Sequence, residues 1–224
     1  MKKLFLSVFT LATMLAAQAQ TKEGSITYSV NFEGLPPEAA GMMKGSEMKM
    51  YFKDKKSRSE FTNAFSTQIT VSDENSTTTL MEQMGQKQYY KLKKEDIEKE
   101  SKKTADPKIT YTEEKKTIAG YECKKAIVET KSEKGETNKV DVWYTEKLQG
   151  PSGSSGGRMG GNQFKGLKGA PLEFSMQQGP MKMQMSATNV STSPIPDAKF
   201  AVSTDGYTEV KLEDLKKQRG GGSN

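Results

Sequence analysis

The chain has 224 residues, of which 33% are hydrophobic and 28% charged, and a formal net charge of +6. It contains no His and a single Cys, Cys123, which excludes Ser-His-Asp and Cys-His nucleophile systems, zinc sites that need imidazole, and an intramolecular disulfide framework. Arg occurs only at positions 58, 158 and 219, and the lysines are scattered among Glu and Asp, so no clustered basic patch supports nucleic-acid binding.

Lys2 and Lys3 precede an apolar run from Leu4 to Ala17, and Ala17-Gln18-Ala19 supplies a small-x-small cleavage pattern. Residues 1–19 are therefore expected to be a secretory signal peptide, too short for a membrane anchor. The mature chain is expected to start near Gln20 and to be periplasmic or secreted. No Cys follows the run, so an N-terminal lipid anchor is not expected. Loss of Lys2 and Lys3 lowers the net charge by two. Transient contact with an anionic membrane surface is compatible with that charge but not demanded by it. The remaining residues suffice for one domain with a core. So low an apolar fraction favours a sheet with one face packed and one face wet.

Period-two alternation dominates from there on. Ile26, Tyr28, Val30 and Phe32 share one parity. Pro36–Met43 fits a short helix with Pro in its first turn. Met48, Met50 and Phe52 alternate with Glu47, Lys49 and Tyr51. Weaker strands are predicted near 58–64, 67–72, 77–82 and 88–92. A surface helix is predicted over Lys93–Lys103, with Glu95/Lys99 and Glu98/Lys102 at i, i+4. Strands near 109–112 and 121–130 follow, the second with a bulge at Lys124-Lys125 that would keep its apolar residues on one face. Val140, Val142 and Tyr144 form the next strand, with Trp143 on its other face.

Residues 149–163 form a Gly/Ser loop without the Gly-Lys-Ser/Thr of a phosphate cradle. Then come Leu172, Phe174 and Met176, followed by Met181, Met183, Met185 and Ala187. A weak strand near 200–203, a helix over about 210–218 and a fraying tail at 220–224 complete the chain. The expected fold is mainly β (α+β): a curved antiparallel sheet or incomplete barrel in meander order, with a few short helices on its concave side.

Three constellations invite a functional reading. Ile26, Tyr28, Val30, Phe32, Met48, Met50, Phe52, Leu172, Phe174 and Met176 would line the concave side, either as a packed core or as the wall of an apolar cavity. Met181, Met183 and Met185 put three soft thioethers on one strand face, the alternative reading being a copper site. Cys123 beside Tyr121 reads as a buried small hydrophobe. The carboxylates lie in charge-mixed, solvated stretches, so no catalytic pair and no enzyme activity is inferred, and no cofactor is implied.

Gly24-Ser25-Ile26-Thr27-Tyr28, Thr117-Ile118-Ala119-Gly120-Tyr121-Glu122-Cys123-Lys124-Lys125-Ala126, Val142-Trp143-Tyr144-Thr145 and Phe164-Lys165-Gly166-Leu167-Lys168-Gly169-Ala170-Pro171-Leu172-Glu173 follow one another in this order. As an ordered set they resemble an exported bacterial domain family of unknown function, which is similar to the LolA-like outer-membrane lipoprotein carriers. The likeness spans nearly the whole mature chain, 20–219. It implies an incomplete antiparallel barrel whose helices plug the concave side, and a cavity that accepts acyl chains. Pro36–Met43 would be the lid, with Met42 and Met43 facing the cavity. The carriers also use an Arg to control opening. The expectation is a periplasmic protein that binds a lipid, a lipoprotein acyl chain or a similar apolar ligand. The alternatives are a Met-rich copper-binding or stress protein and a structural envelope protein with a filled core.

Overall fold

The computed structural model describes residues 20–101, 105–131, 135, 137–150, 163–178, 181–211 and 214. The expected signal peptide, most of the Gly/Ser loop, most of the last helix and the C-terminal tail lie outside the described residues.

The chain runs β1 (Glu23–Glu33), α1 (Pro37–Met43), β2 (Glu47–Lys53), β3 (Lys56–Thr62), β4 (Ser66–Ser72), β5 (Ser76–Gln83), β6 (Gln86–Lys93), α2 (Lys94–Ser101), β7 (Lys108–Ile118), β8 (Tyr121–Lys131), β9 (Thr137–Thr145), β10 (Ala170–Gln178), β11 (Met181–Ser191) and β12 (Thr208–Glu209). All twelve strands join one open, curved sheet in the order β12-β6-β5-β4-β3-β2-β1-β11-β10-β9-β8-β7. Its pairs are antiparallel except for β12 beside β6.

The order resolves into two meanders, β1–β6 and β7–β11, joined along the β1/β11 seam. Phe32 pairs with Met183, Val30 with Met185, Tyr28 with Met48 and Ile26 with Met50. Because successive side chains alternate faces, the seam gathers Ile26, Tyr28, Val30, Met48, Met183 and Met185 on one face. We call it the inner face. Phe174 and Val142 extend the apolar cluster toward β8. Tyr28 and Met185 are fully buried there, and the Tyr28 ring meets Phe174 edge-on at 5.9 Å.

The segment before β10 is folded under this cluster. Phe164 packs edge-to-face on Phe174 with ring centroids 4.8 Å apart. Gly169 lets the chain pass close to β9: a Cβ there would stand 2.1 Å from the Thr145 carbonyl oxygen, at a φ of +143°. No other residue fits both conditions.

Four expectations change. The irregularity anticipated at Lys124-Lys125 lies on the partner strand, between Tyr111 and Lys115 of β7, while β8 pairs with β9 without interruption from Lys124 to Lys131. The strand expected near 200–203 is instead the end of a 3₁₀ turn (Asp197–Phe200) and an extended stretch outside the sheet. The strand near 109–112 runs on to Ile118. One packed face and one wet face does not describe β3–β5, where Val71 and Leu80 are buried on the outer face while the inner one buries the small hydroxyls of Ser57, Ser72, Thr70, Thr77 and Thr79 as well as Phe61.

The outer burial coincides with a C-terminal strap. The Ile195 amide donates to Glu23 Oε1 at 2.6 Å, and Lys53 Nζ donates to the Ile195 carbonyl at 3.0 Å. Further on, Arg58 Nη1 donates to the Lys199 carbonyl at 3.2 Å, and Lys199 Nζ stands 2.9 Å from Glu60 and 4.2 Å from the Tyr51 ring centre. Tyr207 donates its hydroxyl to Glu82, and the Val210 amide donates to the Tyr89 carbonyl at 2.8 Å. The strap thus crosses from β1 to β6 and finishes as β12.

Candidate functional site

The inner face of β3–β5 is built in layers. Ser57, Ser72 and Thr77 are neighbours across the three strands, as are Ser59, Thr70 and Thr79, and then Phe61, Gln68 and Met81. In the first two layers the hydroxyls pair with one another, Ser72 with Thr77 at 2.9 Å and Thr70 with Thr79 at 3.1 Å. Such pairing removes most of the cost of burying them. The third layer opens into a pocket.

That pocket has a volume of about 510 Å³ and sits at the end of the sheet marked by the β3–β4 and β5–β6 turns. Phe61, Gln68 and Met81 meet Phe32 of β1 and Met181 and Met183 of β11. Met42 and Met43 come from α1, and Asn63, Phe65, Ser66, Thr67, Glu82 and Gln83 from the hairpin ends. The apolar part of this lining is Phe and Met, with no Leu, Ile or Val among the described residues. Phe32 and Phe61 meet edge-on at 6.4 Å. Unbranched thioethers around two fixed rings make a wall that can reshape itself around different guests.

α1 is weakly held, and the sequence explains why. It has seven residues, Gly41 in its interior and no side-chain hydrogen bond at its N-cap, Pro36, and none of its residues is buried. A helix this short is marginal without tertiary support, and an interior Gly costs it more. Its visible tethers are at its C-terminal end. Asn63 Nδ2 donates to Met43 Sδ at 3.5 Å, and Ser46 Oγ donates to the Met43 carbonyl at 2.7 Å. A segment with so few anchors belongs to the low-stability end of a fold.

Of the twelve residues expected to line a cavity, Phe32, Met42 and Met43 line this pocket. Ile26, Tyr28, Val30, Met48, Phe52, Leu172, Phe174 and Met176 are buried in the central cluster, and Met50 packs against it. Met181 and Met183 face the pocket, whereas Met185 is fully buried deeper along β11, paired with Val30 and Phe174. Phe61, Met81 and the hairpin-end residues were not anticipated. Their signal is weak, because Phe61 is the lone apolar residue of its strand, Met81 follows Leu80 after a run of Ser and Thr without alternation, and most of the hairpin-end residues are polar.

Arg58 is not at the pocket. It lies on the outer face, where its Nε donates to Glu60 at 2.6 Å. Burial alone would raise the Glu60 carboxyl, but hydrogen bonds from Lys199 and Arg58 carry it below its usual range. Cys123 is fully buried, and burial pushes its thiol up to about 11, which suits a core residue and not a nucleophile. Trp143 points to the outer face, with Lys116 Nζ 4.3 Å from its ring centre.

Among the described residues no group of three or more His, Cys, Asp or Glu is placed to hold a metal ion. No described helix is long and apolar enough to cross a membrane. A scan against protein-family models found no match, and neither did a search of curated proteins.

Proposed function

We propose that this chain is a LolA-like exported binding protein that holds an apolar guest, such as an acyl chain of a lipid or lipoprotein, in the pocket between α1 and the β3–β5 end of the sheet. The observation that carries the reading is the pocket itself. Its volume of about 510 Å³ falls within the range of small-molecule sites. The apolar part of its lining is Phe and Met, with polar groups from the hairpin ends beside them, and its cover is a seven-residue helix with no buried residue. Binding would come from desolvating methylenes, at about 0.8 kcal/mol each, offset in part by the ordering of guest and cover.

The test is native mass spectrometry on the gently purified mature chain, with lipid extraction in parallel. Co-purified or added fatty acid bound one to one, and lost on Gln68→Trp, supports the reading. A clean apo mass that resists loading favours the structural envelope protein.

A second reading rests on the five thioethers of Met42, Met43, Met81, Met181 and Met183 around one pocket, a soft and uncharged donor set suited to Cu(I). Metal analysis separates the two: copper retained by the native chain and absent after Met-to-Leu exchange at these five positions would favour the metal over the acyl guest.

A further inference from the structure

Three large hydrophobic side chains are exposed among the described residues, Met42, Phe65 and Met84, and Met84 is the most exposed at 80%. They come from three separate segments: α1, the β3–β4 turn and the β5–β6 turn. All three nevertheless stand at one end of the sheet. Met42 and Phe65 rim the same pocket, and the Met84 amide donates to the Phe65 carbonyl at 3.3 Å. Scattered single hydrophobics on a surface are ordinary; convergence of these three on one rim calls for a cause.

The turn chemistry gives a second, independent indication. Gln83 pairs with Gln86, so Met84-Gly85 is a two-residue hairpin loop, with φ of +50° and +81°. Such a loop favours Asn or Gly at its first position, where the left-handed conformation is unstrained. Met is a poor turn residue there and a poor surface residue as well. Neither folding nor solubility accounts for it.

Charge then selects the occupant. The tips Asn63-Ala64-Phe65-Ser66 and Gln83-Met84-Gly85-Gln86 carry no charged residue, in a chain that is 28% charged. The hairpins at the other end carry Asp54-Lys55 and Asp73-Glu74. Near the apolar tips, Lys87 is paired with Glu82 and Lys182 with Glu33; Lys44, exposed just after Met43, adds a single positive charge, set against Glu38 in the first turn of the same helix. An anionic surface would be met by clustered unpaired lysines, whereas the groups flanking Phe65 and Met84 are the uncharged Asn63, Ser66, Gln83 and Gln86. Uncharged, protruding tips fit the headgroup-to-acyl boundary of a neutral bilayer, where Phe and Met can insert without burying a charge.

We infer that this end of the molecule docks on a zwitterionic lipid surface by inserting Phe65 and Met84, with Met42 alongside. The docking does not depend on the pocket taking a guest.

The experiment is flotation of the mature chain with phosphatidylcholine vesicles, at low and high salt. The wild type floats at both salts. Phe65→Ser and Met84→Asn each weaken partition by roughly tenfold, since each buried side chain of this size is worth that much. Met84→Asn must at the same time keep or raise the melting temperature, because Asn accepts the left-handed turn; this separates docking from folding. Binding of a fluorescent fatty acid in free solution stays unchanged in Met84→Asn, which separates docking from the guest. Four results would each overturn the inference: no flotation of the wild type, flotation only with anionic vesicles and lost in salt, unchanged flotation of both variants, or sedimentation showing the tips buried in a dimer.

Discussion

Tyr28 on β1 donates its hydroxyl to the carbonyl of Pro171 on β10 at 2.7 Å, across 143 positions of sequence. Both groups are buried, and the bond reaches over β11 to tie the two meanders together beside their seam. Burial drives the phenol well above its ordinary range, so it stays a donor at every physiological pH. Tyr28→Phe removes the donor and leaves a buried carbonyl unsatisfied. The expected cost is about 1–3 kcal/mol of stability, read as a lower urea midpoint at constant slope. A loss well under that range would show that the carbonyl finds another partner.

Stability should fall as the pH is raised into the alkaline range. Cys123 has a folded value near 11 against an ordinary 9.0, and Tyr207 is pushed up to about 12, by burial first and then by its bond to Glu82. Both groups bind their proton more tightly when folded. Their contribution is therefore complete below the unfolded values, and it drains away as pH rises through the interval up to the folded ones. Stability should start to fall above about pH 9, the unfolded thiol range. Cys123→Ala should flatten the fall between there and pH 11, at some cost in packing at neutral pH. Denaturation midpoints measured across that range check both the sign and the window.

The methionines of β11 should separate sharply despite their regular spacing. Met185 is fully buried and Met181 only partly so. Met185→Ala is expected to cost about 2–5 kcal/mol, the range for emptying a packed site. Met181→Ala should cost well under half as much and act instead on guest binding. Equal costs at the two positions would contradict the division drawn here between core and pocket.

α1 offers a kinetic test. Nothing lies within 4 Å of a Cβ built on Gly41, so Gly41→Ala adds no clash and favours the helix by about 0.5–1 kcal/mol. If α1 covers the pocket, the variant should exchange a bound fluorescent fatty acid more slowly. Unchanged exchange rates would show that α1 does not gate access.

The sequence made some of this legible and hid the rest for physical reasons. The strands of the seam announce themselves, because Ile26, Tyr28, Val30 and Phe32 alternate with polar residues wherever one face is packed. Pro36-Pro37 and the residues after it mark α1 through first-turn chemistry. The layers of Ser57, Ser72, Thr77, Thr70 and Thr79 were invisible, since a hydroxyl face alternating with polar residues has no apolar period. The strap was missed for a related reason: Ile195–Val210 is held by backbone donors and ion pairs, which leave no periodic trace. The pocket was misplaced because the same parity puts Val30 in the core and Phe32 at the rim. Only the pairing of Phe32 with Met183, and of Met48 with Phe61, shows where packing ends and space begins.

The most direct measurement of the central claim is a titration of a fluorescent fatty acid against the wild type and Gln68→Trp, with thermal melts of both. Gln68 lines the pocket between Phe61 and Met81, and an aromatic side chain suits a strand there. One site in the wild type, lost in a variant that melts at the same temperature or higher, is the predicted result. Equal binding by the two proteins, or none by either, would contradict it.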